Sequence, residues 1–129
     1  MTYMRGADVY RRTEAESRSP LELVVMLYDG ALRFLSEARA GIDRGDRVAT
    51  SNGLSRAMNV ILELQNSLNV QAGGDVARQL DAMYTYITGR LVHATVKKDY
   101  DAIDESRKLL ETMRDGWVQV ATTGTGARQ

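Results

Sequence analysis

The sequence of 129 residues contains no cysteine, one proline and one histidine. Without cysteine the chain can form neither disulfides nor thiolate metal sites, and a reducing compartment fits such a composition. The single histidine, His93, leaves no convincing Ser-His-Asp or Cys-His arrangement, and no glutamate precedes it by three positions as in di-iron bundles. Gly73-Gly74 lacks the spacing of a phosphate-binding loop. We therefore expect no enzyme activity, no metal site and no cofactor.

Charge of one sign is also lacking, because 17 basic residues balance 17 acidic ones. Nucleic-acid binders usually carry a basic surplus, so this balance argues against one. No apolar run approaches the roughly 20 residues that span a bilayer. The first 18 residues are polar and lack the apolar core of a secretory signal. We expect a cytoplasmic protein without direct membrane insertion.

What the sequence does contain is helical periodicity in four stretches. Ser19-Pro20-Leu21-Glu22 has the pattern of a capping box, which predicts a helix that begins at Pro20. Asp46 is a candidate N-cap for a second helix, and Gly73-Gly74 predicts a turn before a third. The predicted helices cover residues 20–43, 46–69, 74–97 and 100–120, between an N-terminal arm (1–18) and a flexible tail (121–129).

Each predicted helix carries one apolar stripe with steps of three or four residues. The stripes comprise Val24, Leu27, Tyr28, Ala31, Leu35, Ala38 and Ile42; Leu54, Met58, Ile61, Gln65 and Leu68; Val76, Leu80, Met83, Tyr84, Ile87, Leu91 and Ala94; and Ile103, Ser106, Leu110, Met113, Trp117 and Val120. Short links make consecutive helices antiparallel. The sequence therefore predicts an all-α fold, an antiparallel up-down four-helix bundle with a short N-terminal arm.

Two helices carry a further strip of apolar or small residues beside the core stripe. The second-helix strip consists of Gly53, Ala57, Val60 and Leu64, and the third-helix strip consists of Ala82, Tyr86, Gly89, His93 and Val96. If the strips face each other, they line an outer groove in which an amphipathic segment could bind. The alternative is that both strips only widen the core seam. Close backbone approach is a further expectation for the in-helix glycines Gly30, Gly53, Gly89 and Gly116.

The N-terminal arm contains Val9 and Tyr10, an apolar and an aromatic residue before the first capped helix. Aromatic residues are enriched at the energetic centres of interfaces, so this pair could anchor a partner. Folding back onto the bundle and disorder are the two alternatives.

Several of these segments together resemble the flagellar secretion chaperone family, which binds flagellin. The resemblance rests on Ser19-Pro20-x-x-Leu23-x-x-Met26-Leu27-Tyr28-Asp29-Gly30-Ala31 with Ala7 to Tyr10 upstream, and on Gly45-Asp46, Leu54-x-x-Ala57, Gly73-Gly74, Ala77, Leu80, Tyr84-x-Tyr86, Arg90-Leu91, Asp99, Ile103, Leu109-Leu110 and Trp117. It spans residues 7 to 118. No single segment is decisive, but their order and spacing together are specific.

The resemblance implies a bacterial cytoplasmic chaperone that binds the C-terminal segment of flagellin and prevents its premature polymerisation. It also implies delivery of flagellin to the export gate protein of the flagellar export apparatus, with the tyrosine at Tyr10 associated with the binding surface and the gate. A homodimer is a further partner hypothesis. The alternatives are a generic helical-bundle adaptor for another amphipathic segment, and a bundle enzyme or cofactor protein.

Overall fold

The computed structural model describes residues 19–127, except the side chains of residues 70–72, 121 and 123–127. Within this range the chain forms four helices and no strand, which confirms the predicted all-α class. The helices are α1 (Pro20–Asp43), α2 (Arg47–Asn66), α3 (Val70–Lys97) and α4 (Asp101–Ala127). Each packs against the next along the chain, and α4 also packs against α1. This order around the ring, with short links, is that of an up-down-up-down bundle.

Two of the helix starts follow from capping side chains that the sequence predicts. The Ser19 hydroxyl accepts from the Glu22 amide at 3.1 Å, and the Glu22 carboxylate accepts from the Ser19 amide at 2.7 Å. This reciprocal pair is a capping box with proline at the first helical position. At α2 the Asp46 carboxylate accepts from the Ala49 amide at 3.0 Å. Both predictions are confirmed.

The third helix begins earlier than the predicted residue 74, but Gly74 interrupts it. This residue has φ 60° and ψ −137°, a conformation that only glycine adopts at little cost. The helical turn before it therefore ends there, and the regular part of α3 follows Gly74. The turn that Gly73-Gly74 predicts is present as a break within one continuous element.

The fourth helix extends to Ala127, seven residues beyond its predicted end at residue 120. The missing apolar period does not end a helix by itself when no proline interrupts the chain. The Thr122 hydroxyl donates to the carbonyl oxygens of Val118 and Gln119 at 3.0 and 3.1 Å, as threonines in helices commonly do. The predicted helix boundary was therefore wrong, whereas the flexibility expected of residues 121–129 remains a prediction.

The core lies between the four helices and contains most of the predicted stripes. Its fully buried side chains include Tyr28, Leu35, Ile61, Tyr84, Ile87, Leu91, Ile103 and Leu110, with Ser106 as a buried polar member. The Ser106 hydroxyl donates to the Ala102 carbonyl at 2.8 Å, which satisfies it without a partner from another helix. Two predicted core residues are exposed instead, because Val76 and Val120 lie near the end of the bundle; Val76 is 65% exposed.

Candidate functional site

The second-helix strip packs into the bundle, and at Gly53 it lies directly against α1. Ala57 and Leu64 are buried, and Val60 packs against the core. A Cβ atom at Gly53 would lie 2.6 Å from the Phe34 carbonyl oxygen and 2.8 Å from Ala38, so only glycine fits this close approach. Their burial removes Gly53, Ala57 and Leu64 from the predicted outer groove and agrees with the alternative of a wider core seam, whereas a binding role of the partly buried Val60 remains a prediction.

The third-helix strip has the opposite environment. Ala82, Tyr86, Gly89 and Val96 are exposed and His93 is half-buried. The exposed fraction is 47% for Tyr86 and 68% for Val96, which is high for large apolar side chains. A Cβ atom at Gly89 would meet no atom within 4 Å. The strip thus lies off the core face as predicted, whereas its role in binding remains a prediction.

The two strips do not face each other. On α3, the Tyr86 hydroxyl donates to the Glu105 carboxylate of α4, so the strip borders α4. The contact with α2 lies on the other flank of α3, where the Gln65 amide donates to Asp81 at 2.8 Å and to the Thr85 hydroxyl at 2.9 Å. Helical periodicity fixes a residue's angle around its own axis. It does not determine which neighbouring helix lies on which side.

A polar network forms the border between the third-helix strip and α4. The Arg90 guanidinium lies 2.7 Å from the Glu105 carboxylate and 3.8 Å from that of Asp99. The Nε2 atom of His93 lies 3.1 Å from the same Asp99 carboxylate. The contacts of Glu105 join α3 to α4 along the strip, and those of Asp99 join α3 to the link before α4. They also restrain the hydroxyl of Tyr86, which leaves its ring at the surface.

The network shifts three pKa values in directions that follow from its contacts. The hydrogen bonds from Tyr86 and then Arg90 lower the pKa of the Glu105 carboxyl, because both favour its ionised form. The carboxylate in turn raises the pKa of the Tyr86 phenol and of the Arg90 guanidinium. All three groups are solvent-accessible, so this arrangement holds the strip in place and does not prepare an acid or base.

Few charged residues lie in the part of α3 that carries the third-helix strip, although the chain as a whole is 26% charged. Between Arg78 and Lys97 the sequence contains two formally charged residues, Asp81 and Arg90, and each contacts a neighbouring helix. Two more exposed apolar side chains extend this surface toward α2, since Val92 is 46% and Leu62 is 43% exposed. Sequence reasoning missed both, although their apolar character away from the core stripes was the available signal.

An apolar cleft of about 440 Å³ opens at the end of the bundle where α1 begins. We call it the chain-end cleft; its lining comprises Pro20, Leu21, Val24, Leu64, Ser67, Leu68, Asn69, Gly73, Val76, Ala77, Leu80, Tyr84 and Trp117. A second cleft, of about 500 Å³, lies at the opposite end and includes Asp46, Thr50, Thr95, Lys98 and Tyr100. Among the described residues, none that lines the chain-end cleft is charged, whereas three that line the second cleft are charged, namely Asp46, Arg47 and Lys98.

Other predicted features are not brought together by the fold. Val9 and Tyr10 lie outside the described residues, so their placement stays a prediction.

Within residues 19–127 there is no cluster of three or more potential metal ligands. No helix in that part of the chain is long and apolar enough to cross a bilayer. Gly30 and Gly116, for which we expected close packing, have open space around them.

Comparison with known proteins identifies the class to which this bundle belongs. The family described as "Flagellar protein FliS" matches residues 3–124. The flagellar secretion chaperone FliS of Salmonella typhimurium (strain LT2) is 36% identical over 121 residues, which cover 90% of each chain. Its namesake in Bacillus subtilis (strain 168) is 33% identical over 119 residues, covering 92% of this chain and 88% of the relative. The chain therefore belongs to the flagellar protein FliS family.

The match extends to a third relative, the flagellar secretion chaperone FliS of Escherichia coli (strain K12). It is 30% identical over 118 residues, which cover 88% of this chain and 87% of the relative. These alignments span nearly the whole of each relative, so the similarity extends over the full bundle and is not limited to a single motif.

Proposed function

We propose that this protein is a flagellar export chaperone of the bacterial cytoplasm. It binds the C-terminal segment of flagellin, prevents premature polymerisation and supports delivery of flagellin to the export gate. Family membership and the names of the relatives support the chaperone role. The structural observation that carries the proposal is the exposed, nearly uncharged third-helix strip, extended by Leu62 and Val92.

The binding surface in this proposal differs from the groove expected from the sequence. Gly53 packs against α1, and Ala57 and Leu64 are buried, so these three residues are not part of it. The third-helix strip remains, and Leu62 replaces the second-helix strip as the contribution of α2. Exposed apolar surface of this kind commonly marks a site of protein interaction, and an amphipathic segment can cover it with its own apolar side.

The mechanism is association without a covalent step. A segment that is disordered when free becomes ordered on the bundle and buries its apolar side chains. Because ordering costs conformational entropy, affinity does not follow buried area directly. While the segment is bound, its apolar side chains are unavailable for contacts between flagellin subunits. We propose no catalytic residue and no cofactor.

The N-terminal arm has a separate place in the proposal. Val9 and Tyr10 precede α1 by about ten residues, which can span up to roughly 35 Å when extended. That reach covers most of the length of the bundle. We propose that the pair anchors either flagellin or the export gate protein. A homodimer remains an additional hypothesis.

The substitution Tyr86→Glu tests the proposed surface. We expect the affinity for purified flagellin, measured by titration calorimetry, to fall at least about tenfold, because a carboxylate would be buried in an apolar contact beside Glu105. Tyr86 is exposed, so helicity measured by circular dichroism should be unchanged.

Ser36→Glu is the matched control, because it adds the same charge at an exposed position of α1, the helix that lies diagonally opposite α3 in the ring. This variant should bind flagellin like the original chain. Equal affinity of both variants would contradict the placement of the surface, whereas failure of the unsubstituted chain to bind flagellin would contradict the proposed function.

A further inference from the structure

The second cleft combines a buried floor with charged walls. Its volume of about 500 Å³ lies within the range of ligand sites. Gly41, Leu54 and Ala94 line it and are buried, and Leu54 is only 3% exposed. Arg47 and Lys98 also line it, and both are exposed. The cleft therefore offers an occupant apolar contact and positive charge in one place.

The two cations of this lining have no counterion within the part of the chain that the structure describes. Neither Arg47 nor Lys98 forms an ion pair with a carboxylate of those residues, whereas neighbouring carboxylates contact other groups. Asp99, which follows Lys98, belongs to the polar network at the border of the third-helix strip. An anion that enters the cleft can therefore pair with Arg47 and Lys98 without displacing an existing ion pair.

Asp46 is the acidic residue among the described residues of the lining, and its charge is already offset. Its carboxylate accepts from the Ala49 amide at 3.0 Å, and this hydrogen bond is the main cause that lowers the pKa of the Asp46 carboxyl. The Arg44 guanidinium lies 3.5 Å from the same carboxylate. Asp46 is thus ionised and held at the first turn of α2, which leaves the charges of Arg47 and Lys98 uncompensated.

The backbone at Lys98 is a separate indication that this lysine has a role in binding. Each link at this end of the bundle contains a residue with left-handed backbone, Gly45 with φ 71° and Lys98 with φ 56°. Glycine adopts this conformation without steric cost, whereas a residue with a side chain does so unfavourably. The link before α4 thus contains a lysine where glycine would favour folding, and a contribution of its side chain to binding explains that choice.

The lining also contains two hydroxyl groups that have no hydrogen-bond partner among residues 19–127. They belong to Ser51, which is exposed, and to Tyr100, which packs against the core. A hydroxyl can donate to a carboxylate oxygen, as arginine and lysine do. The polar groups of the cleft therefore suit an occupant that supplies oxygen acceptors and negative charge.

We propose that the second cleft binds a carboxylate attached to an apolar body. The apolar body lies against Leu54 and Ala94, which are buried. The carboxylate pairs with Arg47 and Lys98, whose long, exposed side chains can turn their charged ends toward an occupant. This inference does not rest on the proposed function, because no residue that lines the cleft belongs to the surface proposed for flagellin.

Titration of the full chain with N-acetyl-leucine, followed through its amide NMR signals, tests the proposal. The signals of Ser51, Lys98 and Tyr100 should shift and saturate, because these residues line the cleft. N-acetyl-leucinamide lacks the charge, and acetate lacks the apolar body, so each should bind at least about tenfold more weakly. If the amide binds as tightly as the acid, or acetate as tightly as N-acetyl-leucine, the proposal is wrong.

Three variants separate recognition from stability. Lys98→Gly removes the ammonium and relieves the left-handed backbone, so the melting temperature should rise while the Kd for N-acetyl-leucine increases about three- to tenfold. Arg47→Gln should increase the Kd by a similar factor. Arg56→Gln is the matched control, because Arg56 is exposed on the same helix but does not line the cleft, and its Kd should change less than about twofold. Unchanged binding by Lys98→Gly, or equal weakening by Arg56→Gln and Arg47→Gln, would overturn the proposal.

A further ligand pair distinguishes the two sources of such a carboxylate, a small organic acid and the C-terminal end of a polypeptide. A tetrapeptide that ends in leucine is titrated as the free acid and as the amide. Equal affinity of the free-acid peptide and N-acetyl-leucine supports a small acid, whereas at least about tenfold tighter binding of the peptide supports a chain end. Absence of a saturable shift with either acid would refute the proposed site, even if the chain binds flagellin.

Discussion

The second-helix strip and the third-helix strip have the same spacing, with steps of four and three residues, but different surroundings. The first packs against α1 so closely that Gly53 lies beside the Phe34 carbonyl. The second lies at the surface, with Gly89 in open space and Val96 68% exposed. Equal periodicity thus gives a structural seam in one helix and an accessible surface in the other. What differs is whether a neighbouring helix lies on that side, because Phe34 and Ala38 of α1 face Gly53, whereas no atom lies within 4 Å of a Cβ at Gly89.

The largest expected effect is that of a charge placed in the second-helix strip. Leu64 is 2% exposed, so Leu64→Glu should lower the free energy of unfolding by at least about 3–5 kcal/mol. Leu62→Glu is a matched control on the same helix, because Leu62 is exposed and should tolerate the change within about 1 kcal/mol. Urea denaturation measures both. Similar losses for the two variants would contradict the burial difference.

A methyl group at the close approach should have the next largest effect. In Gly53→Ala the added Cβ would lie under 3 Å from both the Phe34 carbonyl and Ala38. We expect a loss of about 1–3 kcal/mol in the free energy of unfolding, because α1 and α2 must separate slightly. Thermal denaturation provides the measurement. A stability equal to that of the original chain would show that the α1–α2 seam is looser than described.

The same substitution in the third-helix strip should act in the opposite direction. Gly89 lies within α3 and has open space around it, so Gly89→Ala should stabilise the chain by up to about 1 kcal/mol through helix propensity. Thermal denaturation of both variants measures the difference, since the melting temperature should rise in Gly89→Ala and fall in Gly53→Ala. Destabilisation by Gly89→Ala would mean that another part of the chain contacts this position.

The smallest effect concerns the polar border of the third-helix strip. The Tyr86 hydroxyl lowers the pKa of Glu105, so this contact contributes stability above the ordinary glutamate pKa of about 4.3 and loses it as the pH falls through the lowered value. Tyr86→Phe should raise the pKa of Glu105 and reduce the loss of stability on acidification. Titration of the glutamate side chains by NMR measures the shift. An unchanged Glu105 pKa would show that Tyr86 does not bond to it in solution.

Much of the fold could be predicted because its determinants are local. The capping box at Ser19 and the Asp46 cap involve residues three apart in sequence, and the core stripes follow the helical period. The candidate site was only half predictable. Placing Gly53 against Phe34, or Tyr86 beside Glu105, depends on which side of each helix its neighbour lies. That arrangement arises from packing of all four helices and leaves no local mark in the sequence.

The even number of alternating helices brings Ser19 and the last turns of α4 to the same end of the bundle. A short flexible linker could therefore join the two ends, and new termini could be opened in the turn at residues 44–46 without crossing the core. Such a circular permutant would leave the α2–α3 face unaltered. It would also move any fused tag about 35 Å away from Pro20, to the far end of α1.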